Sequence, residues 1–461
     1  MEGIVMSHYI LLADFGSTYT KFNLVDVSAE TFVAKVTLPT SQSSTIMDCY
    51  HEGKELLLKE MDFDDDKDCC EEFFCSSAWG GFKMVVIGFT YDLTRKAAEY
   101  AALGSGTRIV KDYYYDLSDE DIKEIQKLKP DAVLLTGGTN KGNQSFVLDV
   151  AAKMAKYLDK MDIIYAGNEQ AQDAVRNLFK NNQCSLHIVE NVMPEVDVIN
   201  IEPVRAISRQ IFMDKILQTN GLKDVAEFSQ LPIIPTPTAV LKATELYGLE
   251  KGESILVVDV GGATTDVHSY GKGLPMNSNV HYQGLLEPEL KRSVEGDLGM
   301  RESSQSVVNQ IGLNKLLRYL DFQWTPEAVD ASIQRRVNNH KYIPHNQQEH
   351  ALDQLLASFA IHTAVKRHVG RLTKIDSVSY RQTGKDLRNC AIVIATGGVM
   401  IHAENPLKMM EDAFQYSERV LNPKASDFYL DQNYILSAVG LVSQKYPKLA
   451  CTLMSEALKI M

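Results

Sequence analysis

Three apolar runs open the chain: YILLAD at 9–14, FNLVDV at 22–27 and FVAKVTL at 32–38. Short polar turns separate them, which predicts a hairpin extended into an antiparallel meander. Residues 48–75 are polar and acidic and read as a solvated loop. From residue 82 the texture changes. FKMVVIGF (82–89), TRIVKDYYY (107–115), DAVLLTGGT (131–139), DIIYAG (162–167) and SLHIVEN (185–191) read as strands. The segments between them, TRKAAEYAALG, SDEDIKEIQKL, FVLDVAAKMAKYL and EQAQDAVRNLF, carry helical periodicity, the second starting at the cap Ser118. Strands alternating with helices predict a parallel or mixed sheet covered on both faces. A further buried strand, SILVVDV at 254–260, precedes HSYGKGLP, read as another hairpin. An amphipathic helix at 352–370, a buried strand CAIVIATGG at 390–398 and a helix at 434–446 complete the pattern.

Composition narrows the classes. With 461 residues, two or three domains are expected, and 45% hydrophobic residues suffice for a core. A formal charge of −13 argues against nucleic acid as a partner. No apolar run approaches the roughly eighteen residues that span a bilayer, so no membrane association is expected. The start, MEGIVMSHYILLAD, lacks a basic region and reads as a strand rather than a signal peptide. Seven cysteines at scattered spacing suit a reducing cytoplasm. Cys69, Cys70 and Cys75 cluster without a second group at zinc-like spacing, and ordinary loop cysteines are the expectation. Asp62, Asp64 and Asp66 alternate as in a calcium loop, yet Lys67 and Phe73 stand where the turn glycine and the bidentate glutamate belong. His362 and His368 are six apart, off one helical face, and no metal site is expected of them. GSG at 104–106 lacks the third glycine of a dinucleotide fingerprint.

Chemistry enters where two stretches match. LLADFGSTYTK at 11–21 and LVVDVGGATTD at 256–266 each run from a buried strand to Asp, an apolar residue, Gly, a small residue and hydroxyls, at the same spacing. The repeat suggests two similar lobes. Small residues let backbone N–H groups approach phosphate oxygens, a role expected of Gly16, Ser17, Thr18, Gly261, Gly262, Thr264 and Thr265. Asp14 and Asp259 at the strand ends would repel phosphate directly, and a largely hydrated Mg²⁺ held by the two resolves this. Lys21 would neutralise charge on a phosphoryl group, while Thr264, Thr265 or Asp266 would orient water. Each turn alone is equally well a plain glycine turn with a solvated acid.

The two motifs resemble the phosphate loops of the superfamily of actin, sugar kinases and heat-shock chaperone ATPases. PTPTAVLKATELYG at 235–248 and SAVGLVS at 437–443 are similar to its two connecting helices, and IATGGVM at 394–400 to its adenosine motif. The resemblance assigns Thr396, Gly397 and Gly398 to the adenosine. It implies an actin-like fold of two ribonuclease-H-like lobes around a nucleotide cleft. The first lobe would span 8–248 with an α/β insertion at about 82–232, the second 249–436, and a C-terminal helix 437–461. DFGSTYTKFNLVDV, LLTGGTNKG, VVDVGGATTDVHS and SVEGDLGMR at 293–301 resemble the MutL (GlmL) family more narrowly. That family accompanies adenosylcobalamin-dependent mutases such as glutamate mutase. The resemblance implies an ATP- or ADP-binding, Mg²⁺-dependent, chaperone-like ATPase that releases damaged cobalamin from a mutase partner. In SVEGDLGMR, Glu295 or Arg301 would approach the nucleotide, or the stretch is an acidic turn before a helix; both readings stand. TGGT at 136–139 reads as a simple turn. The alternatives are an activator of a hydroxyacyl-CoA dehydratase, with Cys390 the one cysteine near a motif, a small-molecule kinase using Asp266 as base, and a relative that binds nucleotide as a structural ligand.

Overall fold

The computed structural model describes residues 7–16, 19–40, 45–59, 61, 68–77, 82–216, 221–320, 324–415, 419–424 and 426–461. They form two compact units. One comprises Met1–Val240, Gly284–Leu286 and Gly440–Leu449; the other comprises Leu241–Gln283, Glu287–Val439 and Ala450–Met461.

In the first unit, strands β1 (Ser7–Phe15), β2 (Tyr19–Asp26) and β3 (Thr31–Pro39) form the expected antiparallel meander. β4 (Asp68–Ser76) runs parallel to β1 on its other side. The chain then builds a separate all-parallel sheet from β5 (Lys83–Gly88), β6 (Arg108–Tyr114), β7 (Ala132–Leu135), β8 (Asp162–Tyr165) and β9 (Ser185–Ile188). It returns through β10 (Ile234–Pro235), which pairs with β4. The first sheet thus has the order β3-β2-β1-β4-β10, the ribonuclease-H arrangement.

The second unit repeats that plan. β11 (Ile255–Val260) and β12 (Thr265–Tyr270) form a hairpin. β13 (Val280–Tyr282) leaves for a small sheet, and β14 (Leu290–Glu295) completes the meander against β12. β15 (Arg371–Lys374) and β16 (Tyr380–Thr383) join β13, while β17 (Ile392–Thr396) runs parallel to β11 and β18 (Asp427–Leu430) parallel to β17. β19 (Lys459–Ile460) closes the edge, giving the order β14-β12-β11-β17-β18-β19. The expected α/β class with two ribonuclease-H-type sheets is therefore present.

Several expectations are corrected. Residues 48–75 are no single loop: they contribute to the helix Ile46–Lys59 and to β4. The helix buries Cys49, Tyr50, Gly53 and Leu57, a three-to-four spacing hidden among charges. β4 buries Phe73, Phe74 and Cys75, so the cysteines sit on a strand, where Cys69 and Cys70 point to opposite faces. Among the described residues no group of three or more metal-ligating side chains converges, and the alternating aspartates at 62–66 lie outside them. HSYGKGLP is no hairpin, because β12 pairs with β14 instead. The amphipathic helix at 352–370 starts earlier, at Gln347, capped by Asn346, and is buried on most of its sides. Arg336, fully buried, holds its start through Glu349 and Asp353. After residue 435 come two helices, Leu436–Val442 and Pro447–Ala457, because a proline fits only the first turn of the second. No helix among the described residues is long and apolar enough to cross a membrane.

Two predictions concern stability. A Cβ on Gly440 would stand 1.8 Å from the Ala239 carbonyl oxygen, so the helices Leu436–Val442 and Thr236–Lys251 meet backbone to backbone. Helix propensity favours Ala over Gly by about 1 kcal/mol, but overpacking costs about 1–3 kcal/mol. Gly440→Ala is expected to lower the melting temperature; an unchanged or higher value would show that these helices do not pack this closely. His268 on β12 is fully buried, and its Nδ1 has no hydrogen-bond partner. Burial, and secondarily the Arg292 charge, push its pKa down from 6.5 to about 3. The unfolded chain therefore binds a proton that the folded chain refuses. Stability is retained above pH 6.5 and falls as pH drops below it, by up to about 1.4 kcal/mol per pH unit. His268→Leu should flatten this acid limb in melting curves recorded from pH 7 to pH 5, and an identical limb would refute the assignment.

Candidate functional site

Each central strand delivers a carboxylate to its C-terminal end. In the first unit Asp14 lies opposite Lys21 across the hairpin and level with Cys75 of β4. Asp14 is buried, and the Thr236 hydroxyl donates to its Oδ1 at 2.6 Å. The Cys75 sulfur lies 3.8 Å from the same hydroxyl. Burial, and then the Asp14 charge, hold this thiol well above its usual pKa, so it stays neutral. Gly16 N–H turns back to the carbonyls of Asp14 and Tyr19, and Gly16 O accepts from the Thr40 hydroxyl. Ser17 and Thr18 lie outside the described residues.

In the second unit Asp259 lies opposite Asp266 and level with Thr396 of β17. The turn between β11 and β12 is closed by Gly261 N–H donating to Thr264 O at 2.9 Å. Its carbonyls are held from one side. Met300 N–H donates to Gly261 O at 3.0 Å, Arg301 N–H to Gly262 O at 2.8 Å, and the Ser303 hydroxyl to Ala263 O at 2.8 Å. In a trans peptide the C=O of one residue and the N–H of the next point opposite ways. The N–H groups of Gly262, Ala263 and Thr264 therefore turn away from the 300–303 segment, an arrangement suited to donating to an anionic oxygen. Gly299 makes this possible, since a Cβ there would stand 2.3 Å from the Ala263 carbonyl carbon.

SVEGDLGMR thus supports the second loop through its main chain. Its side chains are engaged elsewhere. Glu295 pairs with Arg367 at 2.5 Å, and Arg301 donates to the Tyr342 carbonyl and to Asp353. Thr265 is fully buried, with its hydroxyl on Leu298 O at 2.6 Å. Asp266 accepts from Nε and Nη2 of the buried Arg292, at 2.9 and 2.6 Å, and from the Thr264 hydroxyl. Three donors thus hold this carboxylate in place.

The adenosine-like stretch follows β17. Gly397 has φ +105°, and a Cβ on it would stand 2.3 Å from Val260 O, so the chain passes directly over the end of β11. Gly398 opens the short helix Gly398–Ile401, with the Tyr434 hydroxyl near its Cβ position at 3.2 Å. The Thr396 hydroxyl donates to Asp431 at 3.0 Å, and Asp431 accepts from Ile435 N–H as that helix begins. Tyr434 stands at φ +54°. Burial, then the charges of Asp259 and Asp431, raise its phenol.

The structure therefore gathers Asp14, Lys21 and Gly16 in one unit. In the other it gathers Asp259, Gly261, Gly262, Thr264, Thr396, Gly397 and Gly398. Thr236, Arg292, Asp431 and Tyr434 were missed. Asp431 had a signal, an acid just before a helical run. Arg292 had none, because its partner lies on a neighbouring strand.

Comparison with solved structures gives distant likenesses. The nucleotide-free acetone carboxylase structure matches at 12% identity and TM-score 0.41, covering 94% of this chain and 70% of that one. Gluconate kinase from Lactobacillus acidophilus matches at 10% identity and TM-score 0.35, covering 99% and 93%. Component A of (R)-2-hydroxyglutaryl-CoA dehydratase from Acidaminococcus fermentans matches at 9% identity and TM-score 0.30, covering 98% and 99%. Sequence comparison is decisive. The family model for MutL protein matches residues 10–458. Protein MutL of Clostridium tetanomorphum is 38% identical over 463 residues, covering 98% of this chain and 99% of the relative. An alignment of that length takes in both strand–acid–glycine turns, the 293–301 support and the glycine pair after β17, and so the chain belongs to the MutL family.

Proposed function

We propose that this chain is an ATP-dependent, chaperone-like reactivating factor that promotes release of damaged cobalamin from an adenosylcobalamin-dependent mutase. The observation that carries the nucleotide part is the duplication: each unit has the same sheet order and ends its central strand in an acid followed by a glycine turn. The loops at 14–21 and 259–264 bind the phosphates, and Gly397 and Gly398 let the adenosine lie against the main chain. Asp14 and Asp259 hold Mg²⁺. Carboxylate oxygens suit this hard cation, and Asp14 already keeps one oxygen oriented by Thr236. When bound, the ion would neutralise phosphate charge and polarise the terminal phosphoryl group. Lys21, level with Asp14, adds a fixed positive charge. The mutase part rests on membership of the MutL family, whose resemblance implies such a partner, and the site of action is the cytoplasm.

Two of the competing readings fit the site less well. A kinase needs a base, and Asp266 is clamped by Arg292. A cluster-bearing activator needs an accessible cysteine, whereas Cys390 is buried, with its sulfur 3.2 Å from the Ser254 and Ile392 carbonyls.

Calorimetric titration with ATP and ADP, with and without Mg²⁺, tests the nucleotide part. Metal-dependent binding is expected, and no binding to either would refute it. Addition of chain and ATP to a mutase carrying inactivated cobalamin should release the corrinoid; no release from any mutase would refute the partner. Asp14→Asn and Asp259→Asn should each cut Mg²⁺-dependent hydrolysis by about a hundredfold or more while circular dichroism stays unchanged. Retained activity in either would remove its metal role. Gly299→Ala should weaken ATP binding by about tenfold by displacing the 261–264 turn, and wild-type affinity would show that the turn needs no such support.

A further inference from the structure

The parallel sheet of the first unit has the spatial order β6-β5-β7-β8-β9, so its chain starts in the middle, steps one way, then reverses. The helix Thr94–Gly104 after β5 joins the core of the neighbouring meander through Ala97, Ala98 and Ala101. The helices Asp119–Leu128, Ser145–Tyr157 and Gln172–Phe179 cover the other face. The loops after β5 and β7 therefore diverge to opposite faces. In open α/β sheets the crevice at this reversal, beyond the carboxyl ends of the strands, is where ligands bind.

Aromatic rings occupy that edge here. Phe89, just after β5, packs on Phe146, beyond β7, with ring centres 5.0 Å apart. Tyr115, just after β6, lies parallel to Phe89 within 6° at 6.4 Å. Tyr91 meets Tyr114 edge-on at 5.0 Å. Three of these rings face solvent: Tyr91 is 52% exposed, Tyr114 49% and Tyr115 73%. Tyr115 also stands at φ +71°, a conformation a tyrosine rarely adopts, held by its N–H donating to the Gly88 and Phe89 carbonyls. The rest of the edge is tied down. Asn191 donates to Gly138 O at 2.9 Å and Asn168 to Gly142 O at 3.0 Å. TGGT, read from sequence as a simple turn, is thus one rigid wall of the crevice.

The edge is not built for phosphate. The N–H groups of Phe89 and Thr90 are both consumed by Thr94 Oγ1, at 2.8 and 2.9 Å. Arg95, the nearest guanidinium, is buried over the Tyr91 ring and paired with Asp112 at 2.7 Å. What the edge offers is flat, exposed ring surface. We propose that the C-terminal edge of this sheet binds a large, flat, uncharged conjugated ring, with Tyr115, Phe89 and Tyr91 as the stacking platform. The inference is independent of the nucleotide reading.

Two probes separate the sources of such a ring: riboflavin for an isoalloxazine and biopterin for a pterin, each titrated into the full chain by equilibrium dialysis. Binding of at least one is expected, and Tyr115→Asn should weaken it by about tenfold, as should Tyr91→Ala. Asn tolerates positive φ, so Tyr115→Asn should melt no lower than the unchanged protein, which separates lost ring contact from lost fold. Failure of both probes to bind, or full affinity in Tyr115→Asn, would overturn the proposal. A parallel ATP titration reports on the nucleotide site separately.

Discussion

Main chain lying directly on main chain is the constraint on which the second unit's site depends. The turn after β11 can be held by the 300–303 segment only because Gly299 has no side chain to keep it away from Ala263. The chain leaving β17 can cross the end of β11 only because position 397 is glycine with φ +105°. Each contact is set by sterics rather than by attraction, so a single methyl group has nowhere to go. The consequence reaches the hydrogen bonds. Carbonyls pulled toward one support force the following N–H groups the other way, a geometry set by the backbone with few side chains spent on it. The same principle governs Gly440 against Ala239 in the first unit, where the contact is between helices.

Much of the fold was legible because strands buried on one or both faces leave strong patterns, and because the strand–acid–glycine stretch occurs twice. The parallel sheet from residue 83 to 188 was read strand by strand, down to the Ser118 cap, which the structure extends to a capping box with Asp121. The helix Ile46–Lys59 was missed because its five buried positions are diluted by charge. β4 was missed because its apolar end is only three residues long and its stability comes from pairing with β1, far away in sequence. The candidate residues were read from spacing, which gives the position of a side chain along a strand but not the partner that occupies it. Thr265, Asp266 and Glu295 fall at suitable positions, yet their polar atoms are taken by Leu298, Arg292 and Arg367. Tyr434 escaped notice because its role depends on a left-handed backbone that no pattern announces.

The two halves of the duplication are alike in backbone and unlike in charge, and the difference has a physical reading. Lys21 and Asp266 occupy the same place in their hairpins, each opposite the acid that ends the central strand. In the first unit the pair is Asp14 and Lys21, opposite charges, and the Thr236 hydroxyl donates to the acid. In the second unit the pair is Asp259 and Asp266, two carboxylates across one hairpin. Like charges so placed oppose each other unless one is compensated. Arg292 from β14 supplies that compensation to Asp266, at the cost of burying a guanidinium, and its charge in turn disfavours protonation of His268 on the same strand. Asp266 is thereby held between Arg292 and the Thr264 hydroxyl of the turn. The duplication thus repeats the strand, acid and turn, while the position opposite the acid carries a lysine in one unit and an arginine-paired aspartate in the other.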